Sequence, residues 1–399
     1  MGLVIYNIKI VKGGEYVREF YLRLPGPTEI PEEVLLKMAR PIIGHRTNEF
    51  QQLFLAVTEE TKKVFKTKND VLIFLGSGTG GMEAAVVNLF SPGDTILLIS
   101  IGVFGDRFGE IAESFGLNVE KLCFPWGKTY DPEIVKKAIY NDKEGKIKGV
   151  LVTHNETSTG VLNDLVPIKE ILKDHQEILL VVDAISSLGA IDLKTDELGI
   201  DVAITSSQKA LMIPPGLTLI SVSDKAWEAV EKSKTNKFYW DFKKASANLK
   251  KGSTPYTPAV SLIFGLRESM KLIHKEGLEN VFERHILLSR AFREGIKAMG
   301  LTLFADEQYA SPTVTSVRMP DAVDPSKLRK ILENEYRVFV AGGQQKLKDT
   351  IIRVGHMGYI DKFDIINTLW ALGMSLDKLG CEVDTLSGID KAQEVFKEV

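Results

Sequence analysis

The chain has 399 residues, a formal charge of −3, 26% charged residues and 44% hydrophobic residues. These values are ordinary for a globular protein, and the near-neutral balance gives no electrostatic reason to expect nucleic acid or an anionic membrane as a partner. The length favours two domains over one. The two cysteines, Cys123 and Cys381, have neither a disulfide pattern nor a metal-ligand spacing, so we expect a reduced, cytoplasmic protein without a metal site.

The N-terminal part begins with an extension, residues 1–24, which we expect to hold two short strands around Gly13-Gly14. Its apolar run is too short for a signal peptide or a membrane span. The segment Pro25-Gly26-Pro27 then breaks the chain, because prolines stiffen the backbone and glycine is a permissive hinge. Pro31 and two following glutamates predict the start of a helix, and a long amphipathic helix is expected at about 49–65.

Seven short apolar segments follow, separated mostly by amphipathic stretches of helical length. They are rich in Val, Ile and Leu, which predicts an α/β fold with a mainly parallel seven-stranded sheet that is buried on both faces. In such sheets, ligands bind beyond the carboxyl ends of the strands, so catalytic side chains are expected directly after each segment. The segments are 71–75, 95–99, 119–124, 149–153, 178–182, 202–205 and 217–222.

After about residue 258 the pattern changes to helices (260–275 and 278–299), followed by short strands and a further helix. This predicts a smaller α+β domain at the C-terminus. We therefore divide the chain into the extension, a large domain at 25–275 and a small domain at 276–399. No flexible linker separates the domains, so we expect a packed cleft between them. The expected strands are 313–319, 337–341 and 350–354, and the helix is 362–379.

A glycine-rich turn follows the first apolar segment. Gly76, Gly78 and Gly81 fit the spacing of a dinucleotide-binding motif, but the next strand does not end in the acidic residue that such a site needs. Backbone N–H groups at a helix N-terminus, with the hydroxyls of Ser77 and Thr79, suit a single phosphate group instead. A glycine turn without a ligand is the remaining alternative.

Lys209 lies in a turn between the last two apolar segments. If burial there lowers its pKa, the neutral amine can form a Schiff base; otherwise it is a solvated turn lysine. Asp183 directly follows the apolar segment 178–182, where it either pairs with a protonated ring nitrogen or caps the next helix. Phe104 is either a core residue or a ring that stacks on a flat cofactor. Arg353, inside an apolar segment, needs an anion: a substrate carboxylate or an internal salt bridge.

Together these residues suit pyridoxal 5'-phosphate. Lys209 would bind its aldehyde carbon, Asp183 its pyridinium nitrogen and Phe104 its ring face, while Ser77, Gly78 and Thr79 would hold its phosphate.

The order of these motifs resembles the class V aminotransferases from about Pro25 to Gly358, closest to the alanine–glyoxylate, serine–pyruvate and serine–glyoxylate branch. This resemblance implies a type I pyridoxal-phosphate-dependent transferase fold and a homodimer with active sites at the subunit interface. Apart from this resemblance, we expect the extension at 1–24 to pack on the small domain or on the partner subunit. The motifs are Ser77-Gly-Thr-Gly-Gly-Met-Glu-Ala-Ala, His154-Asn-Glu-Thr-Ser-Thr-Gly, Asp183-Ala-Ile-Ser-Ser, Ser206-Ser-Gln-Lys-Ala-Leu-Met-Ile-Pro-Pro-Gly and Tyr256-Thr-Pro.

The resemblance also implies further roles. Thr254 stands where family members often carry a Tyr that contacts the phosphate, so that contact stays open. By resemblance, Ser206, Gln208 and the neighbouring subunit's Thr257 lie near the phosphate, Ser158 lies beside the cofactor and substrate, and Arg353 and Gly26 contact the substrate.

The implied reaction is a ping-pong transamination between a small amino acid, serine or alanine, and a small 2-oxo acid, glyoxylate or pyruvate. Lys209 would act as the base. A cysteine desulfurase usually has His before the lysine, where this chain has Gln208, and Cys381 follows a terminal helix. A phosphoserine or aminoethylphosphonate transaminase stays open because His45 and Arg46 supply cationic groups. A nicotinamide-dependent dehydrogenase leaves Lys209 without a role, and a binding module needs no such polar set.

Overall fold

The computed structural model describes residues 20–398. The strands expected around Gly13-Gly14 lie outside the described residues. In chain order, the elements up to residue 276 are β1 (Tyr21–Arg23), α1 (Glu32–Met38), α2 (Asn48–Phe65), β2 (Asp70–Gly76), α3 (Gly78–Leu89), β3 (Thr95–Ser100), α4 (Val103–Ser114), β4 (Asn118–Cys123), α5 (Pro132–Asn141), β5 (Ile147–Thr153), β6 (Asn155–Glu156), β7 (Val161–Leu162), α6 (Val166–Leu172), β8 (Leu179–Asp183), β9 (Val202–Ser206), β10 (Gly216–Val222), α7 (Asp224–Lys232), α8 (Phe242–Leu249) and α9 (Val260–Glu276). They are followed by α10 (Leu278–Ala298), β11 (Thr302–Leu303), β12 (Val314–Arg318), α11 (Pro325–Tyr336), β13 (Val338–Gly342), β14 (Ile351–Gly355), α12 (Lys362–Asp377) and α13 (Thr385–Lys397).

The seven predicted apolar segments form one sheet, in the order β2-β10-β9-β8-β5-β3-β4. Only β10 runs antiparallel to its neighbours, β2 and β9, so the predicted mainly parallel sheet is confirmed. Because the other strands run in the same direction, the carboxyl ends of β2, β3, β5, β8 and β9 meet at one edge of the sheet. This edge holds the candidate site.

Burial explains the composition of these strands. Strands β3, β5, β8 and β9 are almost entirely buried, as expected for a sheet covered by helices on both faces. Strand β4 differs because it lies at the sheet edge and is mostly exposed. Its Glu120 and Lys121 are charges that discourage pairing with another chain at an open edge.

The small domain is built on a second sheet, in the order β1-β13-β14-β12-β11. Strand β1 pairs in parallel with β13, whereas the other pairs are antiparallel. This sheet has its own apolar core, with residues from Leu288 to Val395. The N-terminal strand therefore belongs to the sheet of the C-terminal domain, and the chain crosses to the large domain directly after it, through Pro25-Gly26-Pro27.

Candidate active site

A pocket lies at the carboxyl-end edge of the large sheet. The loops after β2, β3, β5, β8 and β9 each contribute to it, as the strand pattern predicts. Its lining includes the predicted phosphate turn, the predicted stacking ring, Asp183, Gln208 and Lys209. The full lining is Ser77, Gly78, Thr79, Met82, Phe104, Arg107, Asn155, Thr157, Asp183, Ile185, Ser186, Gln208 and Lys209.

The glycine turn brings the start of α3 to this pocket. A Cβ at Gly78 would lie 2.4 Å from Ile185 Cδ1, and a Cβ at Gly81 would lie 2.2 Å from Thr218 Oγ1. Close packing against neighbouring segments therefore explains these glycines without a dinucleotide. Ser77 precedes the helix but its side chain makes no capping hydrogen bond within residues 20–398, so the hydroxyl and the backbone N–H groups at the helix start are available for an anion.

Lys209 lies in the turn after β9, and its amine donates a hydrogen bond to the Pro25 carbonyl oxygen. Part of the side chain remains accessible through the pocket, but protein atoms surround the amine. The resulting loss of water lowers the pKa of Lys209 to about 8; Asp183 opposes this shift, while Arg353 and Arg107 add to it. A substantial fraction of this lysine is therefore a neutral, nucleophilic amine near physiological pH.

Asp183 ends β8 and is 3% exposed. Its Oδ1 accepts a hydrogen bond from Ile185 N at 2.9 Å, and its Oδ2 accepts one from Thr153 Oγ1 at 3.4 Å. Burial raises the pKa of Asp183 to about 7, against the effect of these hydrogen bonds. The following residues form turns and not a helix, so Asp183 caps no helix in the described chain. Its carboxylate thus faces a pocket where a cationic ligand would stabilise it.

Phe104 is half-buried and lies in the first turn of α4, where its ring faces the pocket instead of the core. The guanidinium of Arg107 lies over this ring, 4.9 Å from its centroid, and Arg107 Nη1 is 3.5 Å from Thr79 Oγ1. Ring and cation therefore border the same pocket as the phosphate turn.

Two predicted residues lie one layer behind the pocket. Ser158 is fully buried; its hydroxyl donates to Glu156 Oε1 at 2.6 Å and accepts from Val103 N at 3.0 Å. Ser206 is also buried, and its hydroxyl lies 2.6 Å from Gln208 Oε1. Both serines support residues at the pocket instead of lining it themselves.

Arg353 lies in β14 and is 7% exposed, with its guanidinium turned toward the large domain. Its Nε donates to Gly342 O at 2.8 Å and its Nη1 to Thr157 O at 3.0 Å. Within residues 20–398 no carboxylate oxygen lies within salt-bridge distance, so an internal salt bridge does not account for it there. Burial lowers the pKa of Arg353 to about 10, against the opposing charge of Glu156. A buried guanidinium of this kind is suited to an anionic ligand.

Gly26 lies beside the lysine of its own pocket, whereas Thr257 lies away from that pocket. Gly26 lies directly against Lys209, and Thr28 fastens this loop to the lysine turn by donating its N–H to Gln208 O at 3.1 Å and its hydroxyl to Lys209 O at 2.9 Å. Thr257 is exposed on the surface and does not line the pocket of its own chain.

Sequence reasoning missed several residues that line the pocket or support its walls. The sequence could have predicted Arg107 at the pocket, because this residue lies three positions after Phe104 on the predicted helix and hence on the same face. Nothing in the local sequence predicts the position of Trp240. It packs against the glycine turn, where a Cβ at Gly76 would lie 2.7 Å from its ring, but the two residues are far apart in sequence. Glu156 is the largest omission and is described below.

Among the described residues, no helix is long and apolar enough to cross a membrane, and no three potential metal ligands come together.

This fold and site define a class of protein. The crystal structure of ureidoglycine–glyoxylate aminotransferase from Bacillus subtilis superposes with a TM-score of 0.91 and 31% identity, over 96% of this chain and 98% of that chain. The sequence profile described as aminotransferase class-V matches residues 20–361. The chain belongs to the class V aminotransferases, a family of pyridoxal-phosphate-dependent enzymes, and both the predicted fold and the predicted resemblance are confirmed.

Curated relatives cover almost the whole chain. A serine–glyoxylate aminotransferase from Hyphomicrobium methylovorum is 36% identical over 384 residues, which is 95% of this chain and 95% of that protein. A protein named soluble hydrogenase 42 kDa subunit, from Anabaena cylindrica, is 43% identical over 376 residues, which is 94% of this chain and 98% of its own length. Because these names differ, the relatives establish the family and not the substrate.

Proposed function

We propose that this chain transfers the amino group of a small amino acid, serine or alanine, to a small 2-oxo acid, glyoxylate or pyruvate. The observation that carries the proposal is the position of Lys209: a lysine with a lowered pKa that shares one pocket with a buried carboxylate and a phosphate-binding turn. Transamination requires these groups, because the amine must be nucleophilic and must also act as a base.

The donors of the pocket fit pyridoxal 5'-phosphate. The start of α3, with Ser77, Gly78 and Thr79, suits the phosphate, and Gln208 adds an amide that Ser206 orients. Phe104 offers a ring face for stacking. When bound, this cofactor supplies an electron-accepting ring that stabilises negative charge on the substrate α-carbon.

Asp183 and Lys209 carry the proton chemistry. In the cofactor-free chain the carboxyl of Asp183 has a pKa of about 7 because burial removes its water, and a cationic ring nitrogen beside it would favour the charged form. The carboxylate then holds the proton on that nitrogen. Lys209, neutral because its pKa is lowered, removes the proton from the substrate α-carbon.

Arg353 serves both halves of the reaction. The amino acid and the 2-oxo acid share a carboxylate next to the reacting carbon, so one arginine can bind either substrate. Its Nε and Nη1 are held by the carbonyls of Gly342 and Thr157, which fixes the plane of the guanidinium before the substrate arrives.

The names of relatives support the choice of substrates. Both the enzyme from Hyphomicrobium methylovorum and the structure from Bacillus subtilis are named for glyoxylate, whereas their amino donors differ. Glyoxylate is therefore our first choice of acceptor.

The other class V reactions receive less support. Arg46 is engaged with Ser253 Oγ at 2.5 Å and Thr254 O at 2.6 Å, and neither Arg46 nor Cys381 lines the pocket.

The active form is proposed to be a homodimer. Next to Thr257 on the surface, Tyr256 stacks on Phe238 and Tyr239 with ring centroids 5.6 and 5.3 Å apart, and Phe238 is 71% exposed. An exposed aromatic cluster of this kind is typical of the core of a protein interface. A second copy that covers this face would bring its Thr257 to the neighbouring pocket.

Half-reaction spectroscopy tests the proposal. Purified protein is supplied with pyridoxal phosphate, and its visible absorbance is followed as single amino acids are added. We expect serine and alanine to bleach the band and glyoxylate or pyruvate to restore it, while Lys209→Ala should lack the band of the covalently attached cofactor. Wild-type protein without this band after cofactor addition would contradict cofactor binding, and a band that no amino acid changes would contradict transamination.

A further inference from the structure

Glu156 is a fully buried carboxylate that interacts with backbone and hydroxyl donors. Its Oε2 accepts hydrogen bonds from Phe104 N and Gly105 N, both at 3.0 Å. Its Oε1 accepts from Ser158 N at 3.0 Å and Ser158 Oγ at 2.6 Å. Burial raises the pKa of Glu156, but these four hydrogen bonds all favour the charged form.

Together, Glu156 and Ser158 cap the start of α4. Ser158 Oγ accepts from Val103 N at 3.0 Å, so the first three backbone N–H groups of the helix are satisfied by this pair. The local N-cap residue, Gly102, has no side chain to do so. A Cβ at Gly102 would lie 2.5 Å from Glu156 Cγ and 2.5 Å from Ser158 Oγ, so its absence makes room for the remote cap.

Stability alone does not require such a cap. Seven other α-helices among residues 20–398 are capped by the side chain of their own N-cap residue, a Thr, Ser or Asp that costs no buried charge. Helix α4 instead uses a carboxylate from β6, which is expensive to bury. What distinguishes α4 is its first turn, which presents Phe104 and then Arg107 to the pocket. The locally capped helices are α2 (Thr47), α5 (Asp131), α7 (Ser223), α8 (Asp241), α11 (Asp324), α12 (Asp361) and α13 (Asp384).

We propose that Glu156 is a positioning residue that, together with Ser158, fixes the ring of Phe104 and the guanidinium of Arg107 against the cofactor. This inference rests on the proposed cofactor binding at the same pocket. Because Glu156 holds the backbone N–H of Phe104 itself, its loss would tilt the ring directly. Stacking geometry depends on ring separation and angle, so a small tilt weakens contact with the cofactor and alters its asymmetric environment.

The test compares Glu156→Gln with Asp201→Asn in protein loaded with pyridoxal phosphate. Asp201 is the control, a buried carboxylate at the opposite end of the sheet: it is 5% exposed, accepts hydrogen bonds from Leu180 N at 2.8 Å and Ser223 Oγ at 2.9 Å, and pairs with Lys225 Nζ at 2.8 Å. Both variants should lower the unfolding temperature. Only Glu156→Gln should change the visible circular dichroism of the bound cofactor and raise its dissociation constant, by about three- to tenfold.

A double-mutant cycle with Phe104→Leu identifies the route. If Glu156 acts through the ring, Glu156→Gln should change the dissociation constant much less in the Phe104→Leu background than in wild type. Additive effects, or a Glu156→Gln variant with unchanged dichroism and affinity, would overturn the inference. If Glu156→Gln does not fold, Ser158→Ala replaces it in every comparison, since it removes the hydrogen bond to Val103 N. A wild type that shows no cofactor band would instead refute the proposed function.

Discussion

Gly26 lies directly against the side chain of Lys209: a Cβ at Gly26 would be 2.5 Å from Nζ and 2.6 Å from Cδ. The backbone of Gly26 has φ = +121°, which residues with a side chain rarely adopt. The Pro25 carbonyl oxygen accepts the hydrogen bond of the lysine amine. The segment that connects the two domains at the N-terminus therefore forms a wall of the space in which the lysine moves.

Gly26→Ala should block the movement of Lys209 as well as strain the backbone. We expect a loss of attached cofactor of at least about tenfold and a destabilisation of about 1–3 kcal/mol. The control is Gly93→Ala, where φ is +89° but nothing lies within 4 Å of an added Cβ. Absorbance of the reconstituted protein and thermal unfolding measure both effects. Equal loss of stability with normal cofactor content in both variants would show that only strain matters.

The rate at which cofactor-free protein attaches pyridoxal phosphate should rise with pH through about 8. Only the neutral amine is a nucleophile, and the pKa of Lys209 is lowered to about 8. Arg353→Gln removes a positive charge and should move the midpoint to higher pH. Asp183→Asn removes a charge that raises this pKa and should move it to lower pH. Stopped-flow absorbance gives the midpoints, and a shift in the same direction for both variants would contradict this electrostatic account.

Asp183 should make the stability of the cofactor-free protein fall with rising pH. Its pKa is raised from 3.8 to about 7, so between these values the folded state binds more protons than the unfolded state, and the free energy of unfolding decreases as pH rises. An asparagine does not titrate, so Asp183→Asn lacks this pH-dependent contribution to the free energy of unfolding. From pH 4 to pH 8 the variant should therefore gain on the order of 2–4 kcal/mol relative to wild type. Urea unfolding at both pH values measures this; parallel pH profiles would contradict it.

A lysine at position 353 should not replace Arg353 in binding the substrate carboxylate, although it keeps the positive charge. A lysine lacks the fork of donors that binds a carboxylate through two hydrogen bonds, and it also loses the contacts with Gly342 and Thr157. We expect the second-order rate constant of the half-reaction with serine to fall about 100-fold or more, for Arg353→Lys as for Arg353→Gln. Ethanolamine, which lacks the carboxylate, is the control substrate: it should react equally slowly with wild type and both variants.

Phe238→Asp should separate the proposed homodimer. Phe238 is 71% exposed in the single chain and stacks on Tyr256, so a charge there would be buried without a partner when two copies associate. Phe363→Asp is a matched control because Phe363 is 70% exposed but lies at the start of α12 in the small domain. Analytical ultracentrifugation should give a monomer for the first variant alone. Dimers of both variants, or a monomeric wild type, would refute the arrangement.

The sequence was most informative where neighbouring residues determine structure. Apolar runs of strand length predicted every strand of the large sheet to within about two residues, because burial on both faces requires continuous Val, Ile and Leu. Since the carboxyl ends of parallel strands meet at one edge, the same pattern also predicted that Asp183, Lys209 and the glycine turn come together. The alternative for Asp183, a helix cap, was equally compatible with the local sequence, and only the turns that follow it in the structure removed that alternative.

Contacts between distant segments escaped this reasoning. Ser158 was expected beside the cofactor and Glu156 had no predicted role, yet both cap the start of α4, where Glu156 accepts a hydrogen bond from Phe104, 52 residues earlier in the chain. Strand β1 joined the sheet of the C-terminal domain, which was one of two places expected for the extension, and Trp240 packed against Gly76 without any local signal. The sequence by itself thus determined the order of strands and the chemistry at their ends, because periodicity and residue type are local properties. Which side chains face the pocket and which support it was decided only by the tertiary structure, because burial and hydrogen-bond partners depend on how distant segments pack.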